Sequence, residues 1–302
     1  MLSLLLALII AFPKENQSLP YLEECYLIGA VEPGTETIVV QGKNVSVHDS
    51  GAFATMISLV EGTNTVEVAG SNLVFKVAKK PAPPKPLLPG AETPKPKVYE
   101  KLEYAASTPK PHPSGRAPSE ITVVLDAGHG GKDPGSFSPH NLLEKDANLR
   151  MAKAVKKELE ALGFKVFMTR EDDSFVELYD RPKLAHEKNA DLFVSIHHNA
   201  PPPNKNPLEF RYTAVYAWNE IGEKLAKAIN SSMMEVLDGE VKNNGVPHAN
   251  YAVTRNPEIP SCLIEVDFIT SPESELSCWD RNRRALLSKA IADGILAWKD
   301  QL

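Results

Sequence analysis

Cysteine is scarce in this chain: of 302 residues, only Cys25, Cys262 and Cys278 carry a thiol. No two stand at the close spacing of a zinc knuckle, which argues against a cysteine-built metal site. Cys262 and Cys278 would be the pair for a disulfide in an exported protein, but the plainer expectation is free thiols packed as small apolar side chains. Positive charge is also in deficit. The 33 Lys and Arg fall short of the 39 Asp and Glu, a net charge of -6. A phosphate-binding surface needs the opposite balance, so nucleic acid is not expected as a partner. Apolar runs of the about 20 residues needed to cross a bilayer are missing too, and no integral membrane span is expected in the mature chain.

Proline, by contrast, is abundant and clustered. Eleven of the 25 prolines fall between residues 79 and 119, mixed with lysine and alanine. Proline removes backbone donors and favours extended polyproline II, so this stretch reads as a stiff, unpacked tether between domains. Residues 1–12 are almost wholly apolar and read as the core of an export signal with cleavage near Ala11, although no Lys or Arg precedes them. Residues 1–21 are therefore expected to be a leader. Between leader and tether, residues 22–78 carry short β-branched runs parted by turn residues: 37–40, 45–47, 53–59, 65–68 and 72–77. That spacing predicts a small all-β sandwich.

From residue 120 to 302, strand-like and helix-like stretches alternate, which predicts an α/β domain with a central, mostly parallel sheet flanked by helices. Strands are expected at 121–125, 164–168, 191–196, 213–217, 251–254 and 261–266. Residues 146–162 place Leu149, Ala152, Val155, Leu159 and Leu162 on one helical face, with Gly163 as the stop. Further helices are expected at 220–237 and 281–298.

The first strand of this domain ends in Asp126-Ala127-Gly128-His129-Gly130-Gly131. The glycines allow a sharp turn, which presents His129 at the carboxyl edge of the sheet, where open α/β proteins place their ligands. Glu144 stands at the start of the next helix, a position that also suits a plain helix-end charge. A second apolar strand closes with Ser195-Ile196-His197-His198-Asn199. Side chains alternate along a strand, so one of His197 and His198 shares a pocket with His129. Two strand-end histidines and one glutamate make a zinc donor set with a fourth position left for water. Such a site needs a proton acceptor. Glu265, inside the apolar run Cys262-Leu263-Ile264-Glu265-Val266, is costly to bury without a role. His140 and His248 read as loop residues.

These residues resemble the zinc-dependent N-acetylmuramoyl-L-alanine amidases that carry a DxGHGG strand. The matching stretches are Asp126 to Gly131 with Asp133-Pro134-Gly135, Glu144-Lys145-Asp146, Thr169-Arg170, Arg181 with Ala185, Ser195-Ile196-His197 with Asn199-Ala200, Asn244-Gly245-Val246 and Leu263-Ile264-Glu265. The resemblance implies that His129, Glu144 and His197 bind Zn2+ and that Glu265 is the catalytic carboxylate. It also implies hydrolysis of the amide between N-acetylmuramic acid and L-alanine of the peptidoglycan stem, and so a place in the periplasm or cell envelope. This chain departs from the family where it has His198 in place of the usual alanine, Asp267 in place of glycine and Ser271 in place of asparagine. The stretch 201–211 is too short for the inhibitory helix that some relatives carry. Residues 22–78 resemble bacterial immunoglobulin-like modules through Pro33-Gly34-Thr35, Gly51-Ala52-Phe53 and the run from Leu59 to Asn64; such a module would meet the wall or a protein partner. Two other expectations stand beside the first: a zinc hydrolase acting on soluble muropeptides, and a catalytically silent wall-binding regulator.

Overall fold

The computed structural model describes residues 8–80, 108–202 and 205–301. The first seven residues of the expected leader and positions 81–107 of the expected tether lie outside these.

The N-terminal unit is a two-sheet β sandwich. Its strands are β1 (Ile9–Phe12), β2 (Ser18–Leu19), β3 (Glu24–Ala30), β4 (Thr37–Val40), β5 (Lys43–Ser46), β6 (Ala52–Ser58), β7 (Gly62–Val68) and β8 (Ser71–Val77). They form sheets ordered β1-β3-β6 and β2-β8-β7-β4-β5. Alternation is plain along β7 and β8, where Val66, Val68, Leu73, Phe75 and Val77 point inward and their neighbours do not. Leu27, Phe53, Ile57 and Phe75 fill the space between the sheets.

The sandwich starts earlier than the expected residue 22. Ile9–Phe12 pairs antiparallel with β3, and Ser18–Leu19 pairs with β8. The apolarity that reads as a leader serves here to line the core: Ala11 is fully buried, and Leu8, Ile10 and Phe12 pack against the cluster. A cut near Ala11 would divide β1.

The tether also ends earlier than expected. Residues 108–119 are held against the second unit instead of hanging free of it. Lys110 Nζ donates to Asn189 Oδ1 at 2.7 Å and to the Ala190 carbonyl at 2.8 Å. Arg116 pairs with Asp191 at 2.5 Å, and the His112 ring meets Trp298 edge-on at 4.7 Å between centroids. The cations set between the prolines thus find oxygen acceptors at the amino edge of the sheet.

The second unit contains β9 (Thr122–Ala127), α1 (Glu144–Ala161), β10 (Lys165–Met168), α2 (Asp180–Glu187), β11 (Leu192–Asn199), β12 (Tyr212–Ala217), α3 (Glu220–Leu237), β13 (Lys242–Asn243), β14 (Ser261–Phe268), α4 (Pro272–Trp279) and α5 (Arg281–Asp300). The sheet order is β10-β9-β11-β14-β12-β13. Strands β10, β9, β11 and β14 run parallel, and β12 turns antiparallel beside β14. Val123, Leu125, Val194, Ile196 and Ile264 pack under α1, α3 and α5, whereas Val124, Phe193 and Leu263 face Ala185 of α2. Cover on both faces explains the near-continuous apolar strands. Helices α2 and α4 were not expected, because both are short and α2 carries little apolar periodicity. The strand expected at 251–254 is a turn, in which Thr254 and Arg255 N–H groups donate to the Tyr251 carbonyl. All three cysteines are free.

Helices α3 and α5 approach closely through Gly294. A Cβ there would stand 2.6 Å from Ile229 Cα and 3.0 Å from the Ala228 carbonyl oxygen, both backbone atoms that cannot yield alone. Alanine normally favours a helix by about 1 kcal/mol over glycine. Gly294→Ala is nevertheless expected to destabilise the chain by about 1–3 kcal/mol through overpacking, measurable as a lower urea midpoint; an unchanged or raised midpoint would refute the close-approach argument.

Candidate metal centre

Four loops and strand ends converge at the carboxyl edge of β9, β11 and β14. His129 follows β9 in a left-handed conformation, φ 61°, that is unusual for a residue with a side chain. The turn is pinned from behind. Arg181 donates to the Ala127 and His129 carbonyls at 3.0 Å each, and Arg170 donates to Ala127 at 2.8 Å and Gly128 at 2.9 Å. Gly128 is required by its neighbour, since a Cβ there would fall 2.2 Å from the His197 ring.

His129, Glu144 and His197 come together, with one donor atom from each lying within 4.8 Å of the other two. His129 Nε2 and His197 Nδ1 both stand 3.1 Å from Glu144 Oε1. Glu144 Oε2 accepts the Ser136 N–H at 2.9 Å, which fixes the carboxylate's far side. His129 Nδ1 donates to Asp133 Oδ2 at 2.8 Å, so Nε2 is the nitrogen turned toward the cluster. A carboxylate behind a histidine in this way orients a metal-binding ring. The sequence matched Asp133 only as part of the Asp133-Pro134-Gly135 stretch and gave it no role, although its place four residues after His129 was an available signal. The donor types, their convergence and the outer carboxylate fit a divalent metal such as zinc.

Electrostatics follow from these contacts. Burial favours a neutral His129, but the hydrogen bond to Glu144, that residue's charge and Asp133 outweigh it and lift the ring to about 9. Burial likewise opposes ionised Glu144, but hydrogen bonds and charge from His129 and His197 hold its carboxyl well below the usual range.

Glu265 is the Cα register partner of His197 across the β11–β14 pairing, which sets the two side by side. Its Oε2 is sealed from solvent and has no hydrogen-bond partner among the described residues. Burial first, and then the charge of Glu144, raise its carboxyl well above the ordinary value. His198 does not join the cluster. Its Nδ1 meets Asn148 Oδ1 at 2.8 Å behind it. His140 binds Glu275 at 2.8 Å, and the His248 ring lies tilted beside Trp218 at 4.7 Å between centroids, so neither joins the cluster. A cavity of about 380 Å³ opens in front of His129 and His197, walled by Phe175, Leu178, Tyr251 and Val253. Among the described residues, the stretch between β11 and β12 holds turns and no helix.

The fold and this donor set define an α/β protein with a candidate metal centre at the carboxyl edge of its sheet. The profile of the N-acetylmuramoyl-L-alanine amidase family matches residues 123–297, and the chain belongs to that family. It is 37% identical over 177 residues to the probable cell wall amidase LytH of Staphylococcus epidermidis, covering 58% of this chain and 57% of that protein. It is 30% identical over 233 residues to N-acetylmuramoyl-L-alanine amidase AmiC of Neisseria meningitidis, covering 63% of this chain and 55% of the other. The chain thus spans little more than half the length of these relatives. Among solved structures, the amidase AmiC2 of Nostoc punctiforme superposes with a TM-score of 0.57 at 35% identity, covering 60% of this chain and 98% of that one. The catalytic domain of CwlV from Bacillus (Paenibacillus) polymyxa gives 0.54 at 30% identity, covering 59% and 97%.

The turn that carries His129 depends on Asp126, which is fully buried and accepts from Arg181 at 2.8 Å, Ser195 at 2.7 Å and Thr169 at 2.6 Å. Burial alone would raise this carboxyl, but the Arg181 charge and the two hydroxyls bring it below its ordinary value. A carboxyl depressed in the folded state contributes stability that is complete above the unfolded value near ~3.9 and is lost as pH falls through the lower folded value. Asp126→Ala strands a buried arginine and is expected to cost about 3–5 kcal/mol. Urea unfolding at pH 7 should show that loss, and the gap between the two chains should narrow in acid; a gap constant down to pH 2 would exclude the linkage.

Proposed function

We propose that this protein hydrolyses the amide bond between N-acetylmuramic acid and L-alanine of peptidoglycan, using zinc held by His129, Glu144 and His197. The observation that carries the reading is the convergence of these three donors beside Glu265, a partly buried carboxylate whose Oε2 is sealed from solvent and has no hydrogen-bond partner among the described residues. When bound, zinc supplies Lewis-acid polarisation of the scissile carbonyl and lets water act as a nucleophile near neutral pH. The residues do the rest. Asp133 holds the His129 ring with Nε2 forward. The apolar walls at Phe175, Leu178 and Tyr251 receive the substrate and limit water around the reacting atoms. Glu265 takes a proton from the attacking water and passes it to the leaving amine of L-alanine. Its raised carboxyl makes it a strong proton acceptor once ionised, and a divalent cation held by His129, Glu144 and His197 would favour the ionised form.

Peptidoglycan as substrate places the protein outside the cytoplasmic membrane, in the periplasm or cell envelope. Export rests on that substrate, since part of the apolar stretch expected as a signal is strand β1. No helix among the described residues is long and apolar enough to cross a membrane. The β sandwich serves as the contact to the wall or to a protein partner.

The test is release of stem peptide from purified peptidoglycan by the full chain, with zinc, with chelator and with substitutions. Turnover should need the metal and should fall about 100- to 10,000-fold in Glu265→Ala, the scale of a lost general base, with zinc retained. His129→Ala should lose zinc and turnover together. New lactyl carboxyl ends on muramic acid identify the bond cut. A folded, zinc-loaded chain that releases no peptide from wall or from soluble muropeptides would overturn the amidase reading in favour of a wall-binding regulator.

A further inference from the structure

One small cavity lies behind the candidate metal centre. His198 and Asp267 line it together with Ser274, Cys278 and Arg283, and its volume is about 20 Å³. One water molecule needs roughly 10–15 Å³ of such space and two to four polar partners. The partners are present. Arg283 Nε is buried without a hydrogen bond, its guanidinium otherwise held by Glu240 at 2.5 Å. Ser274, fully buried, has no oxygen or nitrogen partner for Oγ and only the Cys278 thiol at its side. Asp267 is already satisfied, accepting from Arg211 at 3.0 Å and from the Phe268 N–H at 2.8 Å.

His198 connects this cavity to the cluster, and its tautomer follows from bookkeeping of donors. The Asn148 amide nitrogen donates to the Gly128 carbonyl at 3.2 Å and to Glu144 Oε1 at 3.3 Å. Asn148 Oδ1 is therefore an acceptor, and His198 Nδ1, 2.8 Å away, carries the hydrogen. In the neutral ring, Nε2 is then an acceptor left for the cavity that the ring lines. Arg283 Nε–H is a donor with no acceptor. A water placed between the two would accept from Arg283 Nε–H and donate to His198 Nε2.

We propose that His198 is a positioning residue for the metal centre: braced by one ordered water in the Arg283–Ser274 cavity, it holds Asn148, and Asn148 holds Glu144 in the orientation that binds the metal. The same glutamate oxygen, Oε1, faces His129, His197 and Asn148, so a displacement of Asn148 moves the atom around which the cluster is organised. Asn148 lies one helical turn after Glu144 on α1, which makes the pair rigid along the helix while leaving the amide's rotation to be fixed by His198. Replacing His198 by alanine leaves Asn148 Oδ1 without its donor, frees the amide to rotate, and joins the ring's volume to the cavity.

This inference rests on the metal reading of His129, Glu144 and His197, and the experiment separates the two. Metal-free full-length protein, its His198→Ala variant and its His198→Gln variant are titrated with zinc against a competing chelator, and with Co2+ while the visible ligand-field absorption is recorded. Substitution of partners behind the ligands typically weakens metal binding 10- to 100-fold. His198→Ala, acting through one further residue, is expected to weaken zinc about tenfold and to shift the cobalt bands. His198→Gln, whose amide can still donate to Asn148, should recover most of both. Equal zinc affinity and superimposable cobalt spectra in wild type and His198→Ala would overturn the inference while leaving the metal reading intact. A loss of unfolding stability in metal-free His198→Ala without a change in either metal readout would overturn it too. Wild-type protein that binds neither ion would overturn both. In a high-resolution crystal structure, a solvent peak within hydrogen-bond reach of Arg283 Nε and His198 Nε2 is expected, and a dry cavity would remove the water from the chain of contacts.

Discussion

Asp126 sits at the end of β9 with no exposure to solvent, and an ionised carboxylate in such a place must be fully paired or it unfolds the site around it. The pairing draws in elements distant in sequence: Arg181 from α2, Ser195 from β11 and Thr169 just after β10. Each contact constrains something nearby. Ser195 stands two residues before His197. Arg181 goes on to grip the carbonyls of Ala127 and His129, which hold the turn in its left-handed form. The geometry of the candidate metal centre is thus a consequence of satisfying one buried charge. The two histidines of the cluster hang on this frame, and Glu144 arrives from a separate helix whose start is fastened by the Ser136 N–H.

Much of this was legible in the sequence because the signals are local. An apolar strand ending in glycine–histidine–glycine announces both a strand end and a presented side chain. The 220–237 helix is found at its expected limits, since its apolar spacing is regular and Asn219 caps it by accepting the Gly222 N–H at 3.0 Å. The choice between His197 and His198 was not legible from alternation alone. The register of β11 against β14 shifts after His197, so both rings end near α1, one against Glu144 and the other against Asn148. The roles of Asp133 and Asn148 were equally hidden, because each acts through a contact that only the folded turn and helix create.

The misplaced boundaries have one physical origin. Composition reports what a segment is made of, and not what lies opposite it. Residues 9–12 are apolar enough for an export signal and equally suited to an inward strand face, and pairing with β3 places them in the sheet. Residues 108–119 have the proline content of a free tether, but Lys110 and Arg116 face Asn189 and Asp191 in the turn that leads into β11. Proline supplies an extended backbone with few donors of its own, and that suits a strap laid across a surface as well as a spacer between domains. The charges decide which of the two it becomes.

Asp126 and Glu265 lie on strands flanking β11, and their environments push them in opposite directions. Asp126 has a cation and two hydroxyls, and its carboxyl is held below the ordinary range. Glu265 has burial and a second carboxylate nearby, and its own is pushed far above. Neither difference follows from residue type, and only partner geometry distinguishes them. A buried carboxylate with three donors on its two oxygens cannot exchange protons during a reaction without dismantling its surroundings, so Asp126 is structural. A carboxylate with an unpartnered oxygen beside the candidate donor set has free capacity, which the proposed proton transfer requires. Maintaining that unpaired oxygen costs stability, a cost of the kind that active sites carry.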